Sequence, residues 1–230
     1  MGRLAVILGS NALGPGGEEI AAAAAEQGAA IVQRHDSSVD YVLPHQIDHA
    51  TNLRPLAEQG CDRVLAIASV GSLRTDLGVG SLVCPDDFIA LHLGYSVFGD
   101  QRAHTAPSFD ARWRAEVIEA WGAGGEAPRD GGVYWQAIGP RFETPAEIRL
   151  MAAHADVVGM TVATECIVAG ELGIPYAAVC VVDNLANGLA AEQLTLDEFH
   201  AGAEANRNRL VADLRAVLPR LAARPRPPRD

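Results

Sequence analysis

The chain has 230 residues, 49% of them hydrophobic, and a formal net charge of −11. That length suits one large domain with ample core, and the acidic balance argues against a general nucleic-acid-binding surface, which needs clustered Lys and Arg, while leaving room for a local site that takes a small anion. The opening MGRLAVILGS carries too short an apolar run for a signal peptide, no stretch approaches the ~20 apolar residues of a membrane span, and a cytoplasmic protein is expected.

The first predicted strand is Leu4–Leu8 (LAVIL), followed by Gly9-Ser10-Asn11-Ala12-Leu13 and a helix over Gly17–Glu26. A strand over Ala30–Gln33 leads into Arg34-His35, and a helix over His49–Glu58 precedes a strand at Arg63–Ile67 that runs out into Ala68-Ser69-Val70-Gly71-Ser72. Next come a strand over Ser81–Ile89, a helix over Arg112–Trp121, a strand over Val133–Ile138, the polar cluster Gly139–Thr144 and a helix over Pro145–Ala153. The chain continues with a strand at Ala155–Val158, a helix at Thr161–Leu172, a strand at Tyr176–Val182 ending in Asp183-Asn184, and a helix over Leu196–Leu218. This last helix is expected to stop at Pro219, which cannot continue it. Thr144-Pro145 reads as a cap and a first-turn proline, and Thr195 with Glu198 as a capping box.

Continuous apolarity in the strands fits burial on both faces. Strands alternating with helices give a single α/β domain with a central mixed, largely parallel β-sheet flanked by helices. It is read as residues 1–223, with a Pro/Arg-rich tail over 224–230 expected to be disordered. The four cysteines, Cys61, Cys84, Cys166 and Cys180, have no metal-ligand spacing. Cys166 and Cys180 are read as small buried hydrophobes, and no metal site is expected.

In open α/β sheets ligands sit at the carboxyl ends of the strands, so the residues after each strand carry the functional information. Backbone N–H groups after Gly9 and around Ser69–Gly71 suit an anion. No GxGxxG follows the first strand and no GxxxxGK[ST] loop is present, which disfavours dinucleotide and P-loop chemistry. Arg34-His35 is either a pair suited to phosphate oxygens or a surface arginine beside a capping histidine. In Gly139-Pro140-Arg141-Phe142-Glu143-Thr144, Phe142 offers a flat face to a base. Glu143 is either an acceptor for heterocycle N–H groups or a carboxylate favoured at a helix start.

Together these segments resemble the trimeric purine nucleoside phosphorylase and methylthioadenosine (methylthioinosine) phosphorylase family. The resemblance rests on Gly139–Thr144, Ala146-Glu147, Ala155-Asp156-Val157-Val158-Gly159-Met160-Thr161 and Glu165, in order and spacing. GSNALG at the first strand, Arg34-His35, Pro44-His45, Asn52, Gly60-Cys61 and Gly71-Ser72-Leu73 support it, and the similarity spans about Leu4 to Leu218. It implies the nucleoside phosphorylase-I type of fold and phosphorolysis of purine nucleosides, with inorganic phosphate as co-substrate and no other cofactor. It also implies a homotrimer with active sites at subunit contacts. Phosphate would be held by Asn11, Arg34, His35, Ser69 and Thr161; Asn11 stands where serine or threonine is usual, and Ser69 where alanine is usual. Met160 would pack on the ribose and Phe142 on the base.

The family pairs a glutamate and an asparagine to grip 6-oxopurines, matched here by Glu143 and Asn184, whereas adenine-preferring members carry serine and aspartate. Inosine, guanosine or 5′-methylthioinosine are therefore the expected substrates, with 5′-methylthioadenosine as the alternative and a non-catalytic nucleoside-binding protein as a second. Asp183, in place of a usual threonine, is read as polarising Asn184 or supplying a proton toward N7, or as a structural cap. Leu196 falls where a histidine for the 5′-hydroxyl is found in hypoxanthine and guanine nucleoside phosphorylases. His200, one turn later on the same face, is either a substitute for it or a partly buried helix residue. His104 resembles a residue lent by the neighbouring subunit.

Overall fold

The computed structural model describes residues 2–9, 16–35, 42–189 and 195–225; Asn11 and residues 226–230 lie outside them. The chain forms β1 (Leu4–Leu8), α1 (Gly16–Glu26), β2 (Ala30–Gln33), α2 (His49–Glu58), β3 (Arg63–Ser72), β4 (Leu82–Cys84) and β5 (Asp87–Ile89). There follow α3 (Ala111–Gly122), β6 (Arg129–Asp130), β7 (Val133–Gln136), α4 (Pro145–Ala152), β8 (Val157–Gly159), α5 (Val162–Glu171), β9 (Tyr176–Leu185) and α6 (Leu196–Ala222).

One sheet runs in the order β5-β7-β8-β3-β9-β4-β6, with β1 joining β2 to β3. The expected mixed, largely parallel character holds: among the described residues only β3 with β8 and β4 with β9 are antiparallel. β3 is the organising strand. β9 takes the whole of one edge, while the other edge is shared by β1 along its first half and by β8 at Gly71 and Ser72.

Alternation along the central strands builds two cores. Ala5 and Ile7, Val64 and Ala66, and Ala178 and Cys180 face α2 and α5. Leu4, Val6 and Leu8, Leu65 and Ile67, and Val179 and Val181 face α1, α3 and α6. This two-sided burial is why the strands read as unbroken apolar runs. A third, smaller cluster containing Trp135, Ile148, Met151 and Val158 lies under α4. All four cysteines are buried and free.

Several boundaries differ from the sequence reading. The expected strand over Ser81–Ile89 is two strands, because Pro85 has no N–H for a ladder and the chain changes partners there, from β9 and β6 to β7. β3 and β9 run on to Ser72 and Leu185, so Ser69, Asp183 and Asn184 belong to strands rather than to loops after them. β6, two exposed residues at the sheet edge, had no apolar signal. Finally, α6 continues through Pro219 to Ala222. A proline costs one intrahelical bond and crowds the preceding turn, but Leu218 and Leu221 are fully buried and hold the last turn down. Residues 224 and 225 are likewise docked: the Arg63 guanidinium donates to the carbonyls of Arg224 (2.7 Å) and Pro225 (2.9 Å).

Candidate active site

A cavity of about 600 Å³ opens where the carboxyl ends of β3, β8 and β9 meet the loop before α4 and the first turns of α6. β1 and β2 contribute through the residues that follow them. Arg34, just past β2, is pinned by its own N–H to the Leu8 carbonyl (2.9 Å). Its side chain donates to both oxygens of Glu165 (2.6 and 3.0 Å) and to the Ile67 carbonyl (3.0 Å). Tyr176 adds its hydroxyl to Glu165 Oε2 at 2.7 Å. Burial works against charge on both partners, but each offsets it for the other: Glu165 stays below the usual carboxylate range and the Arg34 pKa is raised. The three Arg34 bonds use three of five guanidinium N–H donors, leaving two for a ligand.

His35 lines the cavity and bonds through Nδ1 to the Val42 carbonyl at 2.7 Å. Burial, and Arg34 beside it, depress its pKa, which favours the neutral ring. Thr161 caps α5 without a side-chain cap bond; the Tyr134 hydroxyl accepts from the N–H of Thr161 (3.2 Å) and Val162 (3.4 Å) instead. The Thr161 hydroxyl makes no cap bond to its own helix, and the residue lines the cavity. Gln136 fastens β7 to α5 by donating to Thr164 Oγ1 (2.6 Å) and accepting from its N–H (3.0 Å).

The loop Gly139–Thr144 supplies Pro140, Phe142 and Glu143 to the cavity. Gly139 has φ +71°, and a Cβ there would fall 2.6 Å from Met160 Sδ, so only glycine fits. Thr144 is the expected cap, and Glu147 completes it as a capping box; Arg141 grips both Glu147 oxygens at 2.8 Å, so it braces the loop instead of facing the cavity. Glu143 is 8% exposed, and burial raises its pKa. Asn184 lines the cavity near the end of β9 and donates to the Leu185 carbonyl at 2.9 Å. From α6 come Leu196, Phe199 and His200, with Phe199 5.8 Å from Phe142 and 5.5 Å from His200 between ring centroids. A Cβ at Gly202 would collide with the Asp183 carbonyl. Glycine therefore lets this part of α6 lie against the end of β9.

Ten of the residues singled out in the sequence line this cavity: Arg34, His35, Ser69, Phe142, Glu143, Met160, Thr161, Asn184, Leu196 and His200. Asp183 does not. It is 3% exposed and bonds Ser69 and Asn206, with no bond to Asn184. Two of the positions where the chain departs from the residues usual in the family it resembles, Ser69 and Asp183, therefore touch each other. His104 is exposed and does not line the cavity. Asn11 is outside the described residues.

Sequence reasoning did not anticipate Phe199, Tyr134 or the role of Glu165 as partner of Arg34. Glu165 had a signal, a lone carboxylate in the apolar run VATECIVA; Phe199 had a weaker one, its spacing of three from Leu196. Among the described residues no group of three or more His, Cys, Asp or Glu side chains is arranged to hold a metal, and no helix is long and apolar enough to cross a membrane.

The phosphorylase superfamily matches residues 13–219. A protein of Archaeoglobus fulgidus named "Probable 6-oxopurine nucleoside phosphorylase" is 39% identical over 178 residues, covering 77% of this chain and 73% of that protein. One of Methanothermobacter thermautotrophicus named "Probable S-methyl-5'-thioinosine phosphorylase" is 34% identical over 191 residues, covering 82% and 67%. Among solved structures, methylthioadenosine phosphorylase from Schistosoma mansoni in complex with adenine superposes with a TM-score of 0.77 over 95% of this chain and 91% of that one, at 19% identity, a likeness of fold. With nine-tenths of its length matched and relatives above 30% identity on most of it, the chain belongs to the phosphorylase superfamily.

Proposed function

We propose that the protein cleaves 6-oxopurine nucleosides with inorganic phosphate, releasing the free base and ribose 1-phosphate or its 5-methylthio analogue. The observation that carries the reading is that an anion-binding set, Arg34 and Thr161, shares one cavity with a base-binding set, Glu143 and Asn184. The names of the relatives from Archaeoglobus and Methanothermobacter point the same way.

The chemistry is electrostatic. Phosphate, held by Arg34, His35, Ser69 and Thr161, sits against the ribose; as the glycosidic bond stretches, it stabilises the oxocarbenium-like sugar and then attacks C1′. Asn11 joins this set in the proposal. Negative charge growing on the purine is met by the Asn184 amide at O6 and N7, a kind of preorganised donor that contributes ~3–4 kcal/mol. Glu143 accepts from N1–H of the base. Phe142 stacks on the purine and Met160 packs on the ribose. Ionised Glu143 is the accepting form, so its raised pKa makes base recognition fail on acidification sooner than an exposed glutamate would. No organic cofactor or metal enters this scheme. In a homotrimer, the exposed His104 reaches a neighbouring copy's cavity.

At the ribose 5′ end the lining is Leu196, Phe199 and His200. Two apolar side chains on one face of α6 favour a methylthio group, which makes 5′-methylthioinosine a substrate beside inosine and guanosine. The test is base release with and without phosphate, across inosine, guanosine, adenosine, 5′-methylthioinosine and 5′-methylthioadenosine. Phosphate-dependent release of hypoxanthine or guanine is expected; preference for the adenine compounds would overturn the base assignment, and release of free ribose would make the protein a hydrolase.

A further inference from the structure

Ser69 lines the cavity with Arg34 and Thr161, but its hydroxyl hydrogen is directed away from the cavity, to Asp183 Oδ2 on the neighbouring strand. The acceptor is itself held. Asn206 on α6 donates its side-chain amide to Asp183 Oδ1 at 2.7 Å and to the Val182 carbonyl at 3.0 Å. A group bonded to a carbonyl must be the NH₂ end, so Asn206 presents donors, and the Asp183 carboxylate accepts from both sides. The backbone sets this up: β3 and β9 slip register so that Val70 pairs with Val182 and Gly71 with Asn184, leaving Asp183 as the extra residue of a bulge. Burial raises the Asp183 pKa and the bonds from Ser69 and Asn206 oppose the rise, so the carboxylate is a basic, poorly hydrated acceptor.

A hydroxyl has one hydrogen and two lone pairs. With its hydrogen committed to Asp183, Ser69 offers the cavity lone pairs only. Arg34 and Thr161 supply donors that suit any tetrahedral oxyanion, whereas an acceptor suits one that carries a proton of its own. We propose that the Asp183–Ser69 relay makes Ser69 Oγ the acceptor for the hydroxyl of a protonated oxyanion, so that the cavity selects phosphate or arsenate over sulfate, which carries no proton at neutral pH. Asp183 is then a positioning residue of the anion end, not a proton source for the base. The inference rests on the reading of this cavity as a phosphate site.

The experiment measures base release from inosine with phosphate varied at several sulfate concentrations, for the wild type, Ser69→Ala and Asp183→Asn. One neutral hydrogen bond is worth ~1 kcal/mol, so each variant should narrow the ratio of sulfate Ki to phosphate KM by roughly three- to tenfold, with the inosine KM unchanged. Arsenate should track phosphate in every variant. An unchanged ratio in Ser69→Ala would overturn the proposal, as would arsenate behaving like sulfate. So would an effect of Asp183→Asn confined to the inosine KM, which would return the carboxylate to the base. Ser69→Ala removes only a hydroxyl from a half-buried position, so the selectivity test stands even if Asp183→Asn does not fold. A wild type with no phosphate-dependent release at all would defeat the phosphorolytic reading and this inference with it, an outcome distinct from unchanged selectivity in an active enzyme.

Discussion

The two ends of the cavity are built differently. At the proposed anion end the side chains are buried and locked: Arg34 is 3% exposed, Glu165 0%, and their bidentate pair joins residues 131 positions apart, with Tyr176 as a third partner. At the proposed ribose 5′ end Leu196 is 58% exposed, and it shares a single helix with Phe199 and His200. The first end depends on the whole sheet being assembled, whereas the second can change without disturbing it. On the proposed function, substrate choice has a place to vary that the fold does not depend on, and anion binding does not.

Glu165→Ala should break that contrast most severely. Removing one partner of a buried ion pair leaves an uncompensated charge and costs ~3–5 kcal/mol. A large drop in thermal or urea midpoint is expected, with phosphate-dependent turnover lost. Stability like the wild type's would mean the pair is not what holds the anion end.

Acid should act on the same end. His49 is 3% exposed with Nδ1 3.8 Å from Glu165 Oε1, and burial pushes its pKa from 6.5 down to about 4. The unfolded state takes up a proton that the folded state refuses, so this contribution to stability is complete above pH ~6.5 and is lost as pH falls toward about 4, up to ~3 kcal/mol in all. Urea denaturation across that range should show the slope, and His49→Phe should flatten it. An unaltered slope in the variant would assign it to other groups.

Asn184→Asp tests the middle of the cavity. Exchanging a donor for an acceptor costs ~1–3 kcal/mol where the partner is left unpaired, so kcat/KM for inosine should fall roughly ten- to hundredfold while the adenosine value rises. Equal losses on both would mean that Asn184 does not choose the base. The smallest effect is expected at the open end. Leu196→Ala trims an apolar contact of ~1 kcal/mol, lowering kcat/KM for 5′-methylthioinosine about fivefold relative to inosine, with no change in melting temperature. A fall in stability there would erase the distinction between the two ends.

Much of this arrangement was legible in the chain. The apolar runs marked the central strands because both sheet faces are covered. Thr144 with Pro145 and Thr195 with Glu198 marked two helix starts, since a cap and its partners lie within three residues of each other. The cluster from Gly139 to Thr144 could be read for the same reason: a loop between a strand and a helix carries its own geometry. Local signals also misled. Pro219 was read as an end of α6 because proline chemistry is local, while the burial of Leu218 and Leu221 that keeps the helix going comes from other elements.

The sequence alone determined the α/β class and the order of most elements, because backbone propensity and apolar patterning act over short stretches of chain, while the resemblance to a known family supplied several of the ten expected side chains that line the cavity. Only the tertiary structure decided which partner each polar group takes. It joined Arg34 to Glu165, turned Asp183 toward Ser69 and Asn206 instead of Asn184, and put Phe199 beside Phe142. Hydrogen bonds and ring contacts are made between groups close in space, and here that closeness arises from strand register, one bulge and the seating of α6, none of which has a signature in neighbouring residues.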